Sequence, residues 1–336
     1  MSIRAGISGL GRIGRLVLYQ MAQDPDFTVV AANDLTKIDA LAMLLKYDSV
    51  HGRLFHEVEK ADQGLVLDGQ LVRGLYSHDI NRLNWGELGV EAVIEASGNN
   101  NDGQKARAHL QGGAERVVIT APADNVDATI VLGVNDSIYD PTQHHIVSNA
   151  SCTTNCLAPL AKVLNDEFGI RRGLMNTIHA YTSDQKLLDG THKDLRRARA
   201  AALSMVPTTT GAAKSVALVL PELAGKLDGF ATRVPTPDAS MVDLTVELER
   251  EVSAAEINEA MQNAAAGPLR GILEYCEDPI VSVDVIGNPH SCVFDSGLTM
   301  VLGKSGNFVK CVAWYDNEWA YAQRVVDLAK LMMGRG

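Results

Sequence analysis

Apolar and polar residues up to about position 150 fall into short strands that alternate with helical patterns. Residues 2–8 form an apolar run, 15–21 carry apolar side chains at helical spacing, and 28–34 form a second apolar run. A further helical pattern and more apolar runs follow at 92–95, 104–110, 116–120, 130–132 and 145–148. This alternation of strand and helix predicts a doubly wound, mostly parallel sheet.

The pattern changes after residue 151. Alternating positions at 230–234, 241–248 and 308–314 predict a mainly antiparallel sheet with helices on one face. Residues 318–333 are amphipathic and predict a final helix. We therefore expect an α/β protein with three parts: a Rossmann domain at 1–151, an α+β domain at 152–316, and a helical segment at 317–336 that returns to the first domain.

Composition narrows the choice of partner and compartment. The 336 residues carry a net charge of -11, which argues against nucleic acid or an anionic membrane as the primary partner. No apolar run approaches the ~20 residues that span a bilayer. Five cysteines form an odd, sparse set rather than a disulfide framework, and no signal peptide is visible. The expected location is cytoplasmic.

A glycine fingerprint, Gly9, Gly11 and Gly14, follows the first predicted strand and opens the first helix. Such glycines allow a tight turn, close approach of backbone to a pyrophosphate, and close helix–strand packing. Asp34 ends the next strand, where it can bind ribose hydroxyls and repel a 2′-phosphate. This context indicates NAD in preference to NADP. An ordinary tight turn and a solvated carboxylate are the structural alternatives.

Cys152 is the candidate nucleophile. It lies among hydroxyl residues at the start of an apolar helical pattern, where the positive end of the helix dipole favours thiolate. His179 ends a later predicted strand and is the candidate base, since a thiolate–imidazolium pair is a stronger nucleophile at neutral pH. Most cysteines and histidines are structural, and we expect a structural role for the other cysteines, beginning with Cys156.

Basic and hydroxyl residues in three segments suggest two anion subsites. Residues 192–199 concentrate positive charge in an acidic chain, 208–214 offer hydroxyls and a glycine at a helix start, and Arg233 ends a strand. A solvated face or a subunit interface is the alternative for the basic segment. Asn317, beside aromatic residues, is suited to bind a nicotinamide carboxamide.

The sequence resembles phosphorylating glyceraldehyde-3-phosphate dehydrogenases over essentially its whole length. The resemblance rests on segments with highly specific motifs: 9–14, 44–49, 150–156, 179–185, 194–202, 207–214, 233–237 and 314–319.

The resemblance implies a role for each matching residue. Cys152 would attack the aldehyde, His179 would take the proton and assist hydride transfer, and phosphate would then attack the thioester. Thr182 and Arg233 would bind the phosphate of glyceraldehyde 3-phosphate. Inorganic phosphate would be bound by Ser151, Thr153, Thr210 and Gly211, with Arg197 near both phosphates. The implied NAD contacts are Gly9, Arg12, Ile13, Asp34, Ser97, Thr120 and Asn317. The family is a homotetramer, in which a loop at about 182–206 reaches a neighbouring subunit's cofactor.

Three sites along the chain depart from the family pattern. Gly190-Thr191 replaces a usual Leu-Pro, which gives room for a 2′-phosphate and suggests that NADP is a weaker alternative cofactor. Gly98 to Asn101 replaces a segment that usually carries Phe near the adenine, and Ala320 stands where Gly is usual.

Erythrose-4-phosphate dehydrogenase is the nearest alternative enzyme, although residues 179–182 and 208–211 match the glyceraldehyde enzyme better. Aspartate-semialdehyde dehydrogenase shares the cysteine chemistry, but it would leave the phosphate motifs unexplained. The non-enzymatic alternative is a secondary binding role on the same scaffold.

Overall fold

The structure is a computed structural model that describes residues 2–335. The chain divides into two compact units. The first comprises Met1–Ile130, Asp136–Ser151 and Ala322–Gly336, and the second comprises Val131–Asn135 and Cys152–Tyr321.

A nine-stranded sheet forms the centre of the first unit. The strands of this unit are β1 (Ile3–Ser8), β2 (Phe27–Asn33), β3 (Tyr47–Asp48), β4 (Gly52–Arg53), β5 (Val58–Ala61), β6 (Gly64–Leu67), β7 (Gln70–Leu75), β8 (Ala92–Glu95), β9 (Arg116–Ile119), β10 (Ala128–Thr129) and β11 (Ile146–Ser148). The spatial order is β10-β11-β9-β8-β1-β2-β7-β6-β5, and β3 pairs with β4 separately. Pairing is parallel except among β5, β6 and β7, where two hairpins turn the chain.

Helices α1 (Arg12–Gln23), α2 (Ile38–Lys46) and α3 (Gly103–Gln111) belong to the same unit. The crossovers β1-α1-β2 and β8-α3-β9 both connect parallel neighbours, as in a doubly wound sheet. Ile7 on β1 and Ile94 on β8 are fully buried, as expected for central strands covered on both faces. This arrangement presents the carboxyl ends of β1, β2 and β8 at one edge, where the glycine turn follows β1.

The second unit is built on an eight-stranded sheet. Its strands are β12 (Ile170–Ala180), β13 (Val206–Thr209), β14 (Leu227–Val234), β15 (Ser240–Val252), β16 (Leu273–Cys276), β17 (Cys292–Asp295), β18 (Met300–Val301) and β19 (Gly306–Tyr315). The order is β13-β14-β12-β15-β19-β17-β16, with β18 on β19. Pairing is antiparallel except for β12 with β14 and β16 with β17.

Helices α4 (Cys152–Phe168), α5 (Ala212–Val219) and α6 (Ala254–Ala266) accompany this sheet. Helix α4 packs on β12, β15, β17 and β19, and its apolar side chains, such as Leu157 and Leu164, are fully buried. Burial of each such side chain contributes about 1.5–3 kcal/mol, so this packing holds the helix and its first residue, Cys152, in place.

The final helix, α7 (Trp319–Met332), begins in the second unit and continues in the first. The α/β fold class, with a Rossmann-type sheet and a mainly antiparallel sheet, is confirmed. The domain ranges 1–151, 152–316 and 317–336 stay predictions; in the structure the segment that returns to the first unit begins at Ala322. Among the described residues, no helix is both long and apolar enough to cross a membrane.

Candidate active site

Cys152 is the first residue of α4. Just before the helix, Ala150 has a φ of 55°, a left-handed conformation that residues with a side chain rarely adopt. Strain of this kind costs about 1–3 kcal/mol and persists only where the surroundings impose it. The chain therefore bends sharply at Ala150 to bring Cys152 to the start of the helix.

His179 lies near the end of β12, and its Nε2 is 3.5 Å from Cys152 Sγ. The other ring nitrogen, Nδ1, is 2.7 Å from the carbonyl oxygen of Ala180. A carbonyl only accepts, so Nδ1 carries the ring proton and Nε2 presents a lone pair to the thiol. Arg233 Nη1 is also 3.2 Å from Nδ1, but two donors cannot bond to each other, so this contact is proximity only. His179 is thus oriented as a base toward Cys152.

Electrostatics favour the neutral forms of both groups before substrate binds. Burial raises the pKa of the Cys152 thiol, and the positive charge of Arg233 offsets only part of this effect. Burial and Arg233 together lower the pKa of His179 to about 3. These pKa directions oppose the thiolate–imidazolium pair that we expected, because burial penalises the charged form of each group; the pair stays a prediction.

Tyr315, at the end of β19, contacts residues on both sides of the Cys152–His179 pair. Its hydroxyl is 2.9 Å from Thr153 Oγ1 and 2.9 Å from Thr177 Oγ1. Its ring packs edge-on against His179 with centroids 6.0 Å apart. The buried hydroxyl therefore joins α4 to β12. The sequence analysis did not identify Tyr315, although its place at the end of an alternating strand gave a weak signal.

Arg233 and Thr182 form one part of a candidate anion site. Arg233, on β14, is paired in register with His179 on β12, and its Nη1 donates to Thr182 Oγ1 over 2.8 Å and to Ala180 O over 3.1 Å. Thr182 Oγ1 in turn donates to Asp184. Positive charge and a hydroxyl thus lie next to the Cys152–His179 pair.

Arg197 is linked to Thr182 and Arg233 through the carboxylate of Asp184. Its Nη1 donates to Asp184 over 2.5 Å, its Nε to Thr208 Oγ1 over 2.9 Å, and its Nη2 to Thr209 O over 3.2 Å. Sequence analysis missed Asp184, which links Thr182 to Arg197. Only the spatial arrangement reveals this role, because the two residues belong to different predicted motifs.

Thr210 and Gly211 precede α5. The hydroxyl of Thr210 accepts a hydrogen bond from Ala212 N over 3.2 Å, and no atom lies within 4 Å of the position that a Cβ on Gly211 would occupy. Thr153, also predicted to bind phosphate, is buried and bonded to Tyr315. Ser151 ends the Asp136–Ser151 segment of the first unit and directly precedes Cys152.

In the first unit, the glycine fingerprint follows β1 as predicted. Gly9 has a φ of 98°, and a Cβ there would lie 2.5 Å from Ser97 N and Cα. A Cβ on Gly14 would lie 1.9 Å from Gly9 O, whereas a Cβ on Gly11 would meet no atom within 4 Å. Gly9 and Gly14 are therefore required by packing, and Gly11 leaves open space at the helix start. This open backbone fits a pyrophosphate group.

Asp34 lines a groove of about 320 Å³ together with Gly9, Gly11 and Ser97. Its carboxylate accepts from Leu10 N over 2.6 Å and from Thr36 N over 2.7 Å. Burial raises the pKa of Asp34, but its hydrogen bonds, beginning with Thr36, outweigh burial and lower it. Asp34 is thus a fixed anion, which suits ribose hydroxyls and disfavours a phosphate.

The other residues predicted to bind NAD are spread along this unit. Arg12 begins α1 and makes a two-pronged contact with Asp48, at 2.8 and 3.0 Å, and Ile13 follows it. Ser97 donates its hydroxyl to Glu95, and Thr120 Oγ1 donates to Glu95 O over 3.2 Å. The donors of Ser97 and Thr120 are therefore directed to Glu95.

Asn317 lies in the second unit, where Ser240 Oγ donates to its Oδ1 over 2.6 Å. Ser240 Oγ also accepts from Ala180 N over 3.1 Å, which links Asn317 to the end of β12. The bond to Oδ1 fixes the orientation of the amide, so its NH₂ group faces away from Ser240 and can donate to a ligand carbonyl.

Comparison with known proteins assigns this arrangement to a family. Residues 3–103 match the family model described as "Glyceraldehyde 3-phosphate dehydrogenase, NAD binding domain", and residues 151–317 match its C-terminal domain. The chain is 55% identical to glyceraldehyde-3-phosphate dehydrogenase of Geobacillus stearothermophilus and 53% identical to glyceraldehyde-3-phosphate dehydrogenase 1 of Bacillus subtilis (strain 168), over 100% of each chain. It is 54% identical to the Mycolicibacterium smegmatis enzyme over 99% of both chains. The chain belongs to the glyceraldehyde 3-phosphate dehydrogenase family.

Membership of the glyceraldehyde 3-phosphate dehydrogenase family confirms the resemblance and makes the first unit an NAD-binding domain. The structure places the three departures from the family pattern as follows. Gly190 donates its N–H to Ala198 O over 2.9 Å, and the neighbouring Thr191 is exposed. Asn99 and Asn100 line the groove beside Ser97. Ala320 is buried in the first turn of α7. Their effect on cofactor choice stays a prediction.

Proposed function

We propose that the protein oxidises glyceraldehyde 3-phosphate with NAD and inorganic phosphate to give 1,3-bisphosphoglycerate. The observation that carries this proposal is the pairing of Cys152 with the lone pair of His179 Nε2, 3.5 Å away, beside Arg233. A thiol, a base and an arginine–hydroxyl anion site are the groups that a phosphorylated aldehyde requires. Family membership supports the same conclusion.

Cys152 Sγ bonds to the aldehyde carbon while His179 Nε2 takes the thiol proton and passes it to the carbonyl oxygen, which gives a thiohemiacetal with a hydroxyl group. Burial raises the pKa of Cys152 and lowers the pKa of His179, so the proton transfer between them is proposed to accompany attack on the substrate. His179 then accepts the hydroxyl proton of this adduct. Loss of hydride, for which bound NAD supplies the acceptor, leaves a thioester on Cys152.

Phosphate completes the reaction by attacking the thioester carbon and releasing the Cys152 thiolate, which regains a proton from His179. Thr182 and Arg233 are proposed to hold the phosphate of the substrate. Ser151, Thr153, Thr210 and Gly211 are proposed to hold inorganic phosphate, with Arg197 near both. The bond between Arg197 and Asp184 supports this division, since it holds the guanidinium between the Thr182 side and the Thr208 side of the cluster.

NAD is proposed to bind at Gly9, Arg12, Ile13, Asp34, Ser97, Thr120 and Asn317. The open backbone at Gly11 and the carboxylate of Asp34 support this choice, since the first accommodates a pyrophosphate and the second binds a ribose with free hydroxyls. NADP is proposed as a weaker alternative. Its 2′-phosphate would be repelled by Asp34, whereas Gly190 and Thr191 would give it room.

We also propose that four copies of the chain assemble, and that the sheet face of the second unit opposite α4 is one of the contacts between copies. Leu174, Phe230 and Phe308 on this face are between 48% and 67% exposed and line a cavity of about 890 Å³. Apolar side chains concentrated in this way are typical of a protein interface, and the occupant we propose is a second copy of the chain. Light scattering should give four times the 36.1 kDa mass of the chain. A cytoplasmic location is proposed as well, and the five free cysteines support it.

The test is the initial rate of NADH formation from glyceraldehyde 3-phosphate and NAD, with and without inorganic phosphate. Sustained turnover that needs phosphate is the expected result, and a burst that stalls without phosphate would show the thioester accumulating. No NADH under either condition would contradict the proposal. Erythrose 4-phosphate, then NADP, would be the next reagents.

A further inference from the structure

Three fully buried polar side chains form a hydrogen-bonded chain in the first unit that the proposed mechanism does not use. They are Trp85, His109 on α3 and Glu95 at the end of β8, each 0% exposed. Trp85 Nε1 donates to His109 Nδ1 over 3.0 Å, and His109 Nε2 is 2.8 Å from Glu95 Oε2. Burial of polar groups is costly unless each is hydrogen-bonded, so such a chain calls for a physical explanation.

The directions of these bonds fix the protonation of His109. An indole N–H can only donate, so His109 Nδ1 accepts and the ring proton lies on Nε2. A second ring proton on Nδ1 would face the indole N–H, donor against donor. His109 is therefore neutral, and it donates to Glu95, which carries the only charge in the chain of three.

Glu95 uses this charge to hold a turn formed by residues 97–100. Its Oε1 accepts from Ser97 N over 2.8 Å and from Ser97 Oγ, and its Oε2 also accepts from Asn100 Nδ2 over 3.3 Å. Burial raises the pKa of Glu95, but the hydrogen bonds from His109 and Ser97 outweigh burial and lower it. One carboxylate thus binds the turn to α3 and Trp85.

This turn is a wall of the candidate NAD groove. Ser97, Asn99 and Asn100 line the groove together with Gly9 and Gly11. The backbone of Gly9 packs so closely on Ser97 that a Cβ on Gly9 would lie 2.5 Å from Ser97 N. A shift of the turn would therefore move the glycine loop or change the width of the groove.

We propose that Glu95, kept as an anion by neutral His109, is a positioning residue that holds the 97–100 turn at the width NAD requires. The inference rests on the proposed use of NAD. It demands a carboxylate specifically, because every neighbour of the two oxygens is a donor. A glutamine has the same shape, but its NH₂ group would face the donors of Ser97 or those of His109 and Asn100.

The test is NAD titration of the full chain carrying Glu95→Gln, followed by calorimetry. We expect the Kd for NAD to rise about tenfold, the effect of one buried donor left unsatisfied. The KM for NAD should rise in parallel, while kcat at saturating NAD stays within about twofold, because Glu95 acts on the groove and not on the reacting atoms. Glu91→Gln is the control. Glu91 accepts from Arg4 N at an exposed position just before β8, so its loss should leave NAD affinity unchanged.

Two variants of His109 separate positioning from general stability. His109→Gln retains an N–H near the Nε2 position and should keep NAD affinity within about threefold, whereas His109→Leu lacks any donor and should match Glu95→Gln. If both variants lower NAD affinity equally, or if folded Glu95→Gln binds NAD as the wild type does, the inference is overturned. The His109 pair decides the matter should Glu95→Gln fail to fold.

Failure of the proposed function gives a different pattern. A wild type that binds NAD but forms no NADH would contradict the proposed reaction while the Kd comparisons still test Glu95. A wild type that binds no NAD would overturn both.

Discussion

The NAD groove and the Cys152 site are built in opposite ways. Backbone atoms set the shape of the groove: Gly9 and Gly14 pack where no Cβ fits, and Gly11 leaves open space. The Cys152 site is formed by side chains from a helix and two strands: β12 and β14 place His179 beside Arg233, and the packing of α4 on the sheet brings Cys152 to His179. A groove made of backbone tolerates few changes of shape, whereas a site made of side chains depends on charge and protonation.

This difference also separates binding from chemistry. Asp34 and the bare backbone of the groove are proposed to select the cofactor without a change of protonation. The Cys152–His179 pair depends on proton transfer, and burial raises the pKa of the thiol and lowers the pKa of the imidazole. Variants can therefore disable one region while the other is retained.

Cys152→Ser is expected to have the largest effect and to act on one region only. A serine hydroxyl is a far weaker nucleophile, so NADH formation should fall at least about 10⁴-fold, while the Kd for NAD stays within about twofold. Steady-state rates and NAD titration check both. Cys276→Ser is the matched control: Cys276 ends β16 and donates only to Asp278 O, over 3.7 Å, and its variant should stay active. Activity in Cys152→Ser would remove Cys152 as the nucleophile.

Gly11→Ala should show the converse, a loss of binding without loss of fold. A Cβ here meets no protein atom within 4 Å, so the melting temperature should not fall. The methyl group would occupy space proposed for the pyrophosphate, and the Kd for NAD should rise about 10- to 100-fold. Gly9→Ala is the contrast, since both its φ of 98° and its contact with Ser97 predict a lower melting temperature as well. Equal melting losses in the two variants would contradict this distinction.

These two regions also mark what could be predicted from the sequence. The glycine fingerprint, Asp34 and the strand–helix alternation lie close together along the chain, so local pattern was enough to predict the Rossmann sheet and its groove. Cys152 and His179 were predicted from their positions at a helix start and a strand end. Their 3.5 Å separation could not be predicted, because it depends on how α4 packs on the sheet that contains β12.

The protonation states of side chains and their charged or hydrogen-bonding partners were the features least predictable from the sequence. The sequence predicted a thiolate from the helix dipole, whereas burial raises the pKa of Cys152. Asp184 and Tyr315 were missed because their roles arise from contacts with distant residues. Desolvation and long-range hydrogen bonds are properties of the packed interior, and no local pattern reports them.

The neutral state of His179 predicts a pH dependence of stability. Its pKa of about 3 in the folded protein is below the value of about 6.5 expected when unfolded, so between these values the unfolded state binds more protons. The contribution of neutral His179 to the free energy of unfolding is therefore complete above about pH 6.5. It decreases as the pH is lowered, by roughly 2 kcal/mol at pH 5. Urea unfolding at several pH values should show a shallower dependence in His179→Asn. Identical slopes would mean that His179 is not buried in the neutral form. The slope of the variant must be subtracted from that of the wild type, because Asp238 contributes a pH dependence of opposite sign. Burial and Asp316 raise the pKa of Asp238 to about 9.

Tyr315→Phe should have the smallest effect and tests whether the Cys152 site depends on side-chain hydrogen bonds. Removing the hydroxyl leaves Thr153 and Thr177 without their shared partner, at a cost of about 1–2 kcal/mol in the free energy of unfolding. Because the ring still packs on His179, kcat should fall only about threefold. The matched control is Tyr275→Phe, the same change in the same sheet, where the ring stacks on Phe294 with centroids 6.0 Å apart. If urea unfolding shows equal losses for the two variants, the Tyr315 hydroxyl does not join α4 to β12, and packing alone holds Cys152 beside His179.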